Sequence, residues 1–365
     1  MNKENNKVKE PLFHIAKRPA IAWQKAWGIR GASILIAFLF SGIVIMMLTK
    51  QNPLDVYATM FSGNLRSETK IWQLLQETAL LLCVSLAVTP AFKMRFWNIG
   101  AEGQVLIGGL ATAACMILLG GKISNGLLIV VMIIASIVGG AVWAIIPAIF
   151  KAKFNTNETL FTLMMNYVAI QLVSYFAMVW EKTKGAGTVG EIQYGWLPRI
   201  GNNDYILNVI VVLLLTVALY IYLTKFKHGY ELTVVGESEN TARYIGINVN
   251  KVIIRTMLLS GALCGVAGLL LVGGKDHTIN SSIAGGRGFT AIMVSWLAKF
   301  NPLYMILTAL LLAFMQKGAG EISTVYGIDK AVSDIITGII LFFIIGSEFF
   351  INYEIKFIKR HKEVE

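Results

Sequence analysis

The sequence predicts an all-α integral membrane protein with about ten transmembrane helices. Its 365 residues are 56% hydrophobic and only 15% charged, whereas soluble domains carry about 25% charged residues. Apolar runs follow one another along the chain, and most are close to the roughly 20 residues that cross a hydrocarbon core. Lys and Arg also cluster at alternate ends of these runs, which is the pattern of cytosolic loops.

Ten apolar runs define the predicted helices. Two of them, 288–299 and 303–316, are short and predict half-crossing or tilted pieces. The chain also divides into two pseudo-repeated halves, each with a glycine-rich start to a short or interrupted helix. Such interruptions at corresponding places indicate a transport pathway. The runs are 30–49, 71–92, 97–119, 127–149, 159–180, 206–224, 252–273, 288–299, 303–316 and 334–350.

Positive charge predicts the orientation. Met1–Arg30 contains seven Lys or Arg residues, and the first apolar run begins too late and is too long for a cleaved leader. The formal charge of +11 could indicate a nucleic-acid partner, but positive charge retained in cytosolic loops explains it better. We expect no nucleic-acid partner, a cytosolic segment at 1–29, one transmembrane domain at 30–350 with a cytosolic coupling loop at 225–251, and a cytosolic tail at 351–365.

The glycine-rich helix starts contain candidate pathway residues. Asn98–Gly109 includes Glu102 and Gln104 close to a helix start, and Asn166 lies two turns into a later helix. Polar side chains at membrane depth are costly unless water or buried partners satisfy them. One interpretation is helix capping with close glycine packing, and the other is a polar face on a water-filled path. The three glycines of Gly285–Trp296 allow either a re-entrant backbone or a plain outer loop.

Capping signals mark two further helices. In the polar stretch Lys225–Lys251, Ser238 is a candidate N-cap and Gly246 a candidate C-terminal stop. The helix between them has about seven residues and is roughly 10 Å long, so a partner surface or the rest of the chain must hold it. Asn155 and Glu158 have the spacing of a capping box. We interpret the polar stretch as a docking element.

The sequence has no recognisable catalytic or metal-binding pattern. Gly268–Asp276 comes closest to a phosphate loop, but Leu269 stands where the first glycine should be and Asp276 replaces the Ser or Thr that would hold magnesium. The four histidines are scattered, and the three cysteines lie within apolar runs. We therefore expect a transport subunit rather than an enzyme, with no metal and no cofactor bound by this chain.

Three motifs carry a resemblance to a known family. Phe96–Gln104 is close to F-N-I-G-x-E-G-Q, with Trp97 inserted after Phe. Asn157–Asn166 is similar to N-E-x-x-x-T-L-M-L-N, and Gly288-Phe289 is followed by a small apolar run and Asn301-Pro302. The chain resembles the membrane permeases of ATP-binding cassette (ABC) importers for branched-chain amino acids, simple sugars and nucleosides, most of all those of nucleoside uptake systems. The resemblance implies an all-helical permease fold of the vitamin-B12-importer kind.

The resemblance covers the chain from about Thr69 onward and implies roles for individual residues. In this family a cytosolic loop between the halves grips the ATPase, and Val235–Asn248 looks typical of that loop. The general E-A-A-x-x-x-G signature is matched only in part, by Ala242 and Gly246. The expected coupling residues are Glu237, Glu239, Asn240, Thr241, Ala242 and Gly246. The expected substrate-pathway residues are Asn98, Glu102, Gln104, Asn166 and Phe289.

The resemblance also implies partners in a bacterial plasma membrane, with both chain termini cytosolic. These are an ABC ATPase carrying ATP and magnesium, a second homologous permease and an extracytoplasmic substrate-binding lipoprotein. Amides and aromatics near the interruptions suit a polar neutral solute, with Glu102 and Arg287 expected to be the only charges nearby, and the resemblance alone favours nucleoside over sugar. Simple sugars or branched-chain amino acids are the alternatives. An ion-coupled secondary transporter would need intramembrane charge beyond Glu102 and Asp334, and a structural scaffold would leave the interruptions unexplained.

Overall fold

The computed structural model describes residues 13–19, 21–181, 185–186, 189–201 and 203–357. Within them the chain forms thirteen α-helices and one two-stranded sheet, which confirms the all-α membrane class. A π-helical turn, Val272–Asp276, continues α10. The elements are β1 (Phe13–Lys17), α1 (Trp23–Thr49), α2 (Pro53–Leu65), α3 (Glu68–Lys93), α4 (Ala101–Leu119), α5 (Asn125–Phe154), α6 (Glu158–Trp180), α7 (Ile206–Lys225), α8 (Lys227–Glu237), α9 (Glu239–Tyr244), α10 (Val249–Leu271), α11 (Arg287–Leu297), α12 (Pro302–Tyr326), α13 (Lys330–Asn352) and β2 (Tyr353–Phe357).

Nine of the described helices are long and apolar enough to cross a membrane, whereas α2, α8, α9 and α11 are too short. The short piece expected at 288–299 is present as α11, which has 11 residues. The prediction of a second short piece at 303–316 is wrong, because α12 continues for 25 residues to Tyr326. Polar residues between Gln316 and Glu321 end the apolar run, but they do not end the helix, because the backbone hydrogen bonds of a helix form regardless of side-chain polarity.

One compact unit consists of the described parts of Met1–Gly63 and Met315–Glu365. In it α1 packs against α13, and Arg30 pairs with Glu348 at 2.6 Å. Strand β1 pairs antiparallel with β2, so the segments before α1 and after α13 lie side by side. The apolar core of this unit contains Ala37, Ile45, Val56, Met60, Met315, Ile322, Ile336 and Ile340.

The second unit, Asn64–Phe314, is built on α3, α4, α5 and α10. Glycines allow the backbone of α10 to touch its neighbours. A Cβ built on Gly265 would lie 2.1 Å from the carbonyl oxygen of Ser136 in α5, and one on Gly268 would lie 2.4 Å from the Gly109 nitrogen in α4. Small residues at such interfaces permit the close approach that holds membrane helices together. This tight core positions the residues described next.

Candidate functional site

The two glycine-rich helix starts predicted from the sequence meet in the structure. Helix α4 carries Glu102 in its first turn, and α11 starts at Arg287. The Glu102 carboxylate joins them, since Oε1 accepts a hydrogen bond from the Gly286 N–H (2.8 Å) and Oε2 accepts one from the Gly288 N–H (2.7 Å). We call these three residues, Glu102, Gly286 and Gly288, the α4–α11 junction.

Glycine is required at both backbone positions of the junction. Gly286 has a φ of 74°, in the left-handed region that favours glycine. A Cβ built on Gly288 would lie 2.4 Å from the backbone nitrogen of Glu102, so any side chain there would push α11 away from α4. The N-termini of the two helices are therefore held close together, with one carboxylate between them.

A buried amide network ties the segment before α4 to the helices around it. The Asn98 Nδ2 donates to Gln104 Oε1 (3.3 Å) and to Ser260 Oγ (3.2 Å) in α10. Its Oδ1 accepts from Gln104 Nε2 (3.2 Å) and from the Gly100 N–H (3.1 Å). Asn98 thus lies before α4 without capping it, because the N-cap is Gly100. Each amide satisfies the other in the apolar interior.

Asn166 links α6 to the start of α4. Its Oδ1 accepts from the Gly103 N–H (2.8 Å), and its Nδ2 donates to the carbonyl oxygen of Ile99 (2.9 Å). The Gly103 N–H is one of the first N–H groups of α4, which have no partner within the helix. A side chain from another helix therefore completes the start of α4.

The capping box expected at Asn155 and Glu158 does not form. The N-cap of α6 is Asn157, whose side chain accepts from the Leu160 N–H at 3.1 Å. Asn155 ends α5 with a φ of 50°, and Glu158 pairs with Lys151 at 2.9 Å. Asn155 cannot cap α6 because α5 extends into the stretch expected to begin α6.

Four of the five residues predicted to line the substrate pathway are buried against the chain itself. These are Asn98, Glu102, Gln104 and Asn166. Phe289 differs, because 44% of its surface is exposed. The rings of Trp97 and Trp296, both half exposed, pack at 5.6 Å between centroids. A substrate role for the five residues remains a prediction, and the structure gives the four buried ones a clear place in packing.

Charges that the sequence analysis missed lie beside the α4–α11 junction. Glu77 in α3 pairs with Lys275 of the π-helical turn and with Arg287 of α11, each at 2.6 Å. Lys275 also lies 3.7 Å from Asp276. The expectation that Glu102 and Arg287 are the only charges near the interruptions is therefore wrong. The position of Glu77 inside an apolar run was the available signal, since ionisable residues at membrane depth are rare and usually paired.

The predicted docking helix is present as α9. Its N-cap is Ser238, which accepts from the Thr241 N–H at 3.2 Å, and Gly246 makes the exit turn with a φ of 84°. Tyr244 is 92% exposed, whereas Ala242 is fully buried. The small Ala242 side chain therefore faces the permease and not an outside partner. The exposed coupling candidates are Glu237, Glu239, Asn240, Thr241 and Gly246.

Helix α8, which the sequence analysis did not predict, seats the docking helix on the membrane helices. A Cβ built on Gly236 would lie 2.2 Å from the carbonyl oxygen of Lys93, where α3 ends. The His228 ring lies between two hydroxyls, with Nδ1 2.5 Å from Tyr222 Oη and Nε2 3.3 Å from Thr256 Oγ1. Burial lowers the pKa of His228 below its ordinary 6.5. Helices α3, α7 and α10 are thereby connected to the segment that leads into α9.

The part of the chain that the structure describes holds no group of three or more His, Cys, Asp or Glu side chains that could bind a metal ion. The stretch nearest to a phosphate loop, Gly268–Asp276, is the end of α10 and its π-helical turn. Its backbone N–H groups are engaged in helical hydrogen bonding and do not form an open cradle for phosphate.

Comparison with known proteins identifies the family. The family described as branched-chain amino acid transport system / permease component matches residues 71–345. The glucose ABC transporter permease protein TsgB13 of Haloferax volcanii is 29% identical over 93% of this chain and 92% of its own. The guanosine ABC transporter permease protein NupP of Bacillus subtilis is 28% identical, over 89% and 93%. The nucleoside ABC transporter permease protein NupB of Lactococcus lactis is 27% identical, over 85% and 89%.

Among solved structures, PsaBC from Streptococcus pneumoniae in complex with Fab is a distant neighbour, with a TM-score of 0.45 and 15% identity over 80% of this chain and 95% of that one. The family match covers both interrupted helix starts, the charges beside them and the docking helix. The chain belongs to the family of branched-chain amino acid transport system permease components, and it is a multi-pass membrane permease of an ABC importer.

Proposed function

We propose that this chain is the nucleoside-translocating permease of an ABC importer driven by ATP hydrolysis in a partner ATPase. The observation that carries the substrate class is the internal pairing of charge around the α4–α11 junction. Glu102 binds backbone N–H groups, and Glu77 pairs with Lys275 and Arg287. A zwitterionic amino acid would need free counter-charges on its path, whereas a neutral solute would not.

Exposed aromatics are compatible with a nucleoside substrate. Phe289, Trp97 and Trp296 present aromatic faces beside the junction helices, and such faces stack on a flat base. Two of the relatives carry guanosine or nucleoside in their names and one carries glucose, at nearly equal identity. Sequence similarity alone therefore does not separate the two substrates, and uptake has to be measured.

Labelled uptake in cells tests the substrate. Cells that lack this gene should lose uptake of labelled guanosine, keep uptake of glucose and leucine, and recover guanosine uptake when the wild-type gene is returned. Guanosine uptake that survives the deletion would contradict the proposal. A loss confined to glucose or to leucine would replace the substrate class and leave the ABC permease assignment in place.

The proposed ATPase contact is the exposed surface of α9. A short capped helix that leaves Tyr244 almost fully exposed suits insertion into a groove on a partner, and large aromatics often dominate such contacts. We expect Tyr244→Ala to leave the permease in the membrane and to weaken recovery of the ATPase on a tagged permease about tenfold or more, the loss of roughly 1.4 kcal/mol. Tyr175→Ala in α6, also well exposed, is the matched control. Equal ATPase recovery with both variants would contradict this contact.

The proposal extends to further partners and to orientation. A second homologous permease and an extracytoplasmic substrate-binding lipoprotein should be recovered with the tagged chain. The pairing of β1 with β2 supports chain ends on one side of the membrane and therefore an even number of crossings, whereas nine described helices are long enough to cross. We expect the segment 277–286 together with α11 to supply the tenth crossing, and positive charge favours cytosolic chain termini.

A further inference from the structure

We propose that Glu102 is an internal counter-anion for two helix N-termini that face each other, and that it thereby fixes α11 in place and excludes anionic solutes from the α4–α11 junction. We treat Glu102 as a positioning residue, because both of its carboxylate oxygens bind backbone N–H groups of α11. The exclusion of anionic solutes rests on the proposed function, whereas the role of Glu102 in fixing α11 does not.

Helix N-termini need an anion at this place. The first N–H groups of a helix have no partner within it, and the aligned peptide dipoles leave a partial positive charge there. Two N-termini that meet inside an apolar core therefore repel each other and leave donors unpaired. Glu102 addresses both problems, since it lies in the first turn of α4 and accepts from Gly286 and Gly288 at the start of α11.

The start of α11 is held from two sides. Its backbone is bound to α4 through Glu102, and its first side chain, Arg287, is bound to α3 through Glu77 at 2.6 Å. A Cβ built on Gly288 would lie 2.8 Å from Glu102 Oε2, so only glycine at this position lets the backbone of α11 approach the carboxylate. Charge-assisted hydrogen bonds of this length are about twice as strong as neutral ones.

This arrangement has a consequence for specificity. The position at which a solute carboxylate or phosphate would bind the N-terminus of α11 is occupied by a carboxylate of the chain itself. An anionic solute would have to displace Glu102, which is buried and covalently tethered. The junction therefore disfavours amino acids and nucleotides and leaves neutral nucleosides and sugars unaffected.

A graded series of substitutions tests the positioning role. Glu102→Asp keeps the carboxylate, Glu102→Gln keeps the shape but places an NH2 donor against a backbone N–H, and Glu102→Ala removes both. We expect nucleoside uptake and thermal stability to fall in the order Glu, Asp, Gln, with uptake by Glu102→Gln reduced about tenfold or more, which is roughly 1.4 kcal/mol. The matched control is Glu68→Gln, an exposed first-turn carboxylate in α3, and it should match the wild type.

Chemical rescue distinguishes a bound anion from simple loss of volume. For purified Glu102→Ala permease in detergent, millimolar formate should raise the unfolding temperature more than chloride or acetamide does, and it should leave the wild type unchanged. Equal stability of the Gln and Glu forms, or no formate-specific shift in the Ala form, would overturn the inference. Failure of guanosine uptake in wild-type cells would instead overturn the proposed function and leave the formate result intact.

Discussion

Removing the Glu77 carboxylate should destabilise this permease far more than removing an exposed carboxylate. Glu77 is the shared anion of two cations, with Lys275 and Arg287 each 2.6 Å from one of its oxygens. The variant Glu77→Gln keeps the shape of the side chain and removes the charge. Both cations would then face each other in a site where water reaches them only in part.

The size of the expected loss of folding free energy in Glu77→Gln follows from the burial of the three side chains. Removing one partner of a buried ion pair costs about 3–5 kcal/mol, because the remaining charge is left uncompensated. The three side chains keep between 15% and 23% of their exposure, so we expect the lower end of that range. A loss of about 3 kcal/mol changes the folding equilibrium roughly 150-fold.

The assay is reversible unfolding in mixed micelles by SDS titration, followed by circular dichroism, with Asp204→Asn as the matched control. Asp204 pairs with Arg199 at side-chain exposures of 52% and 58%, so its loss should cost less than about 1 kcal/mol. The double variant Glu77→Gln/Lys275→Gln should regain part of the loss, because Arg287 then no longer faces a second cation. Equal losses in Glu77→Gln and Asp204→Asn would refute the role given to the network.

Three further predictions follow from packing, burial and topology. Gly265→Ala should lower the free energy of unfolding by about 1–3 kcal/mol, because its Cβ would meet a backbone carbonyl of α5 at 2.1 Å. Gly126→Ala, whose Cβ would have nothing within 4 Å, should not destabilise the protein, and SDS titration compares the two variants. Burial lowers the pKa of His228, so the unfolded chain binds more protons and stability should fall as the pH drops below 6.5. Thermal unfolding between about pH 5 and 7.5 should show this slope in the wild type and a smaller slope in His228→Gln, because burial also lowers the pKa of His277. A cysteine placed at Asn203 should react with impermeant thiol reagents in whole cells and one at Ser238 should not, and the reverse labelling would overturn the orientation.

Several features of the fold were predictable because they depend on local sequence. The length of an apolar run decides whether a helix can cross the membrane, and this predicted eight of the nine described helices that are long enough to cross, as well as the shortness of α11. Capping chemistry is equally local. Ser238 and Gly246 therefore marked the ends of α9 correctly, with a side-chain cap at one end and a left-handed exit turn at the other.

The sequence pattern gave the wrong N-cap for α6, because two candidate N-cap residues lie close together. The sequence places Asn155 and Asn157 two residues apart, and either could begin α6. The structure decides between them, because α5 stays helical to Phe154, Asn155 ends it, and Asn157 is left to cap α6. In α9, six residues are too few for a periodic pattern to indicate which face is buried, so the inward position of Ala242 could not be foreseen.

The sequence by itself determined that the chain is a helical membrane permease with two glycine-rich helix starts and a short capped helix at α9. The tertiary structure alone decided which charges and helix ends meet. Glu102 and Gly288 are 186 positions apart, and Glu77 and Arg287 are 210 apart. No local rule connects such residues, because their contact depends on the close packing of α3, α4 and α10 that brings α11 beside them.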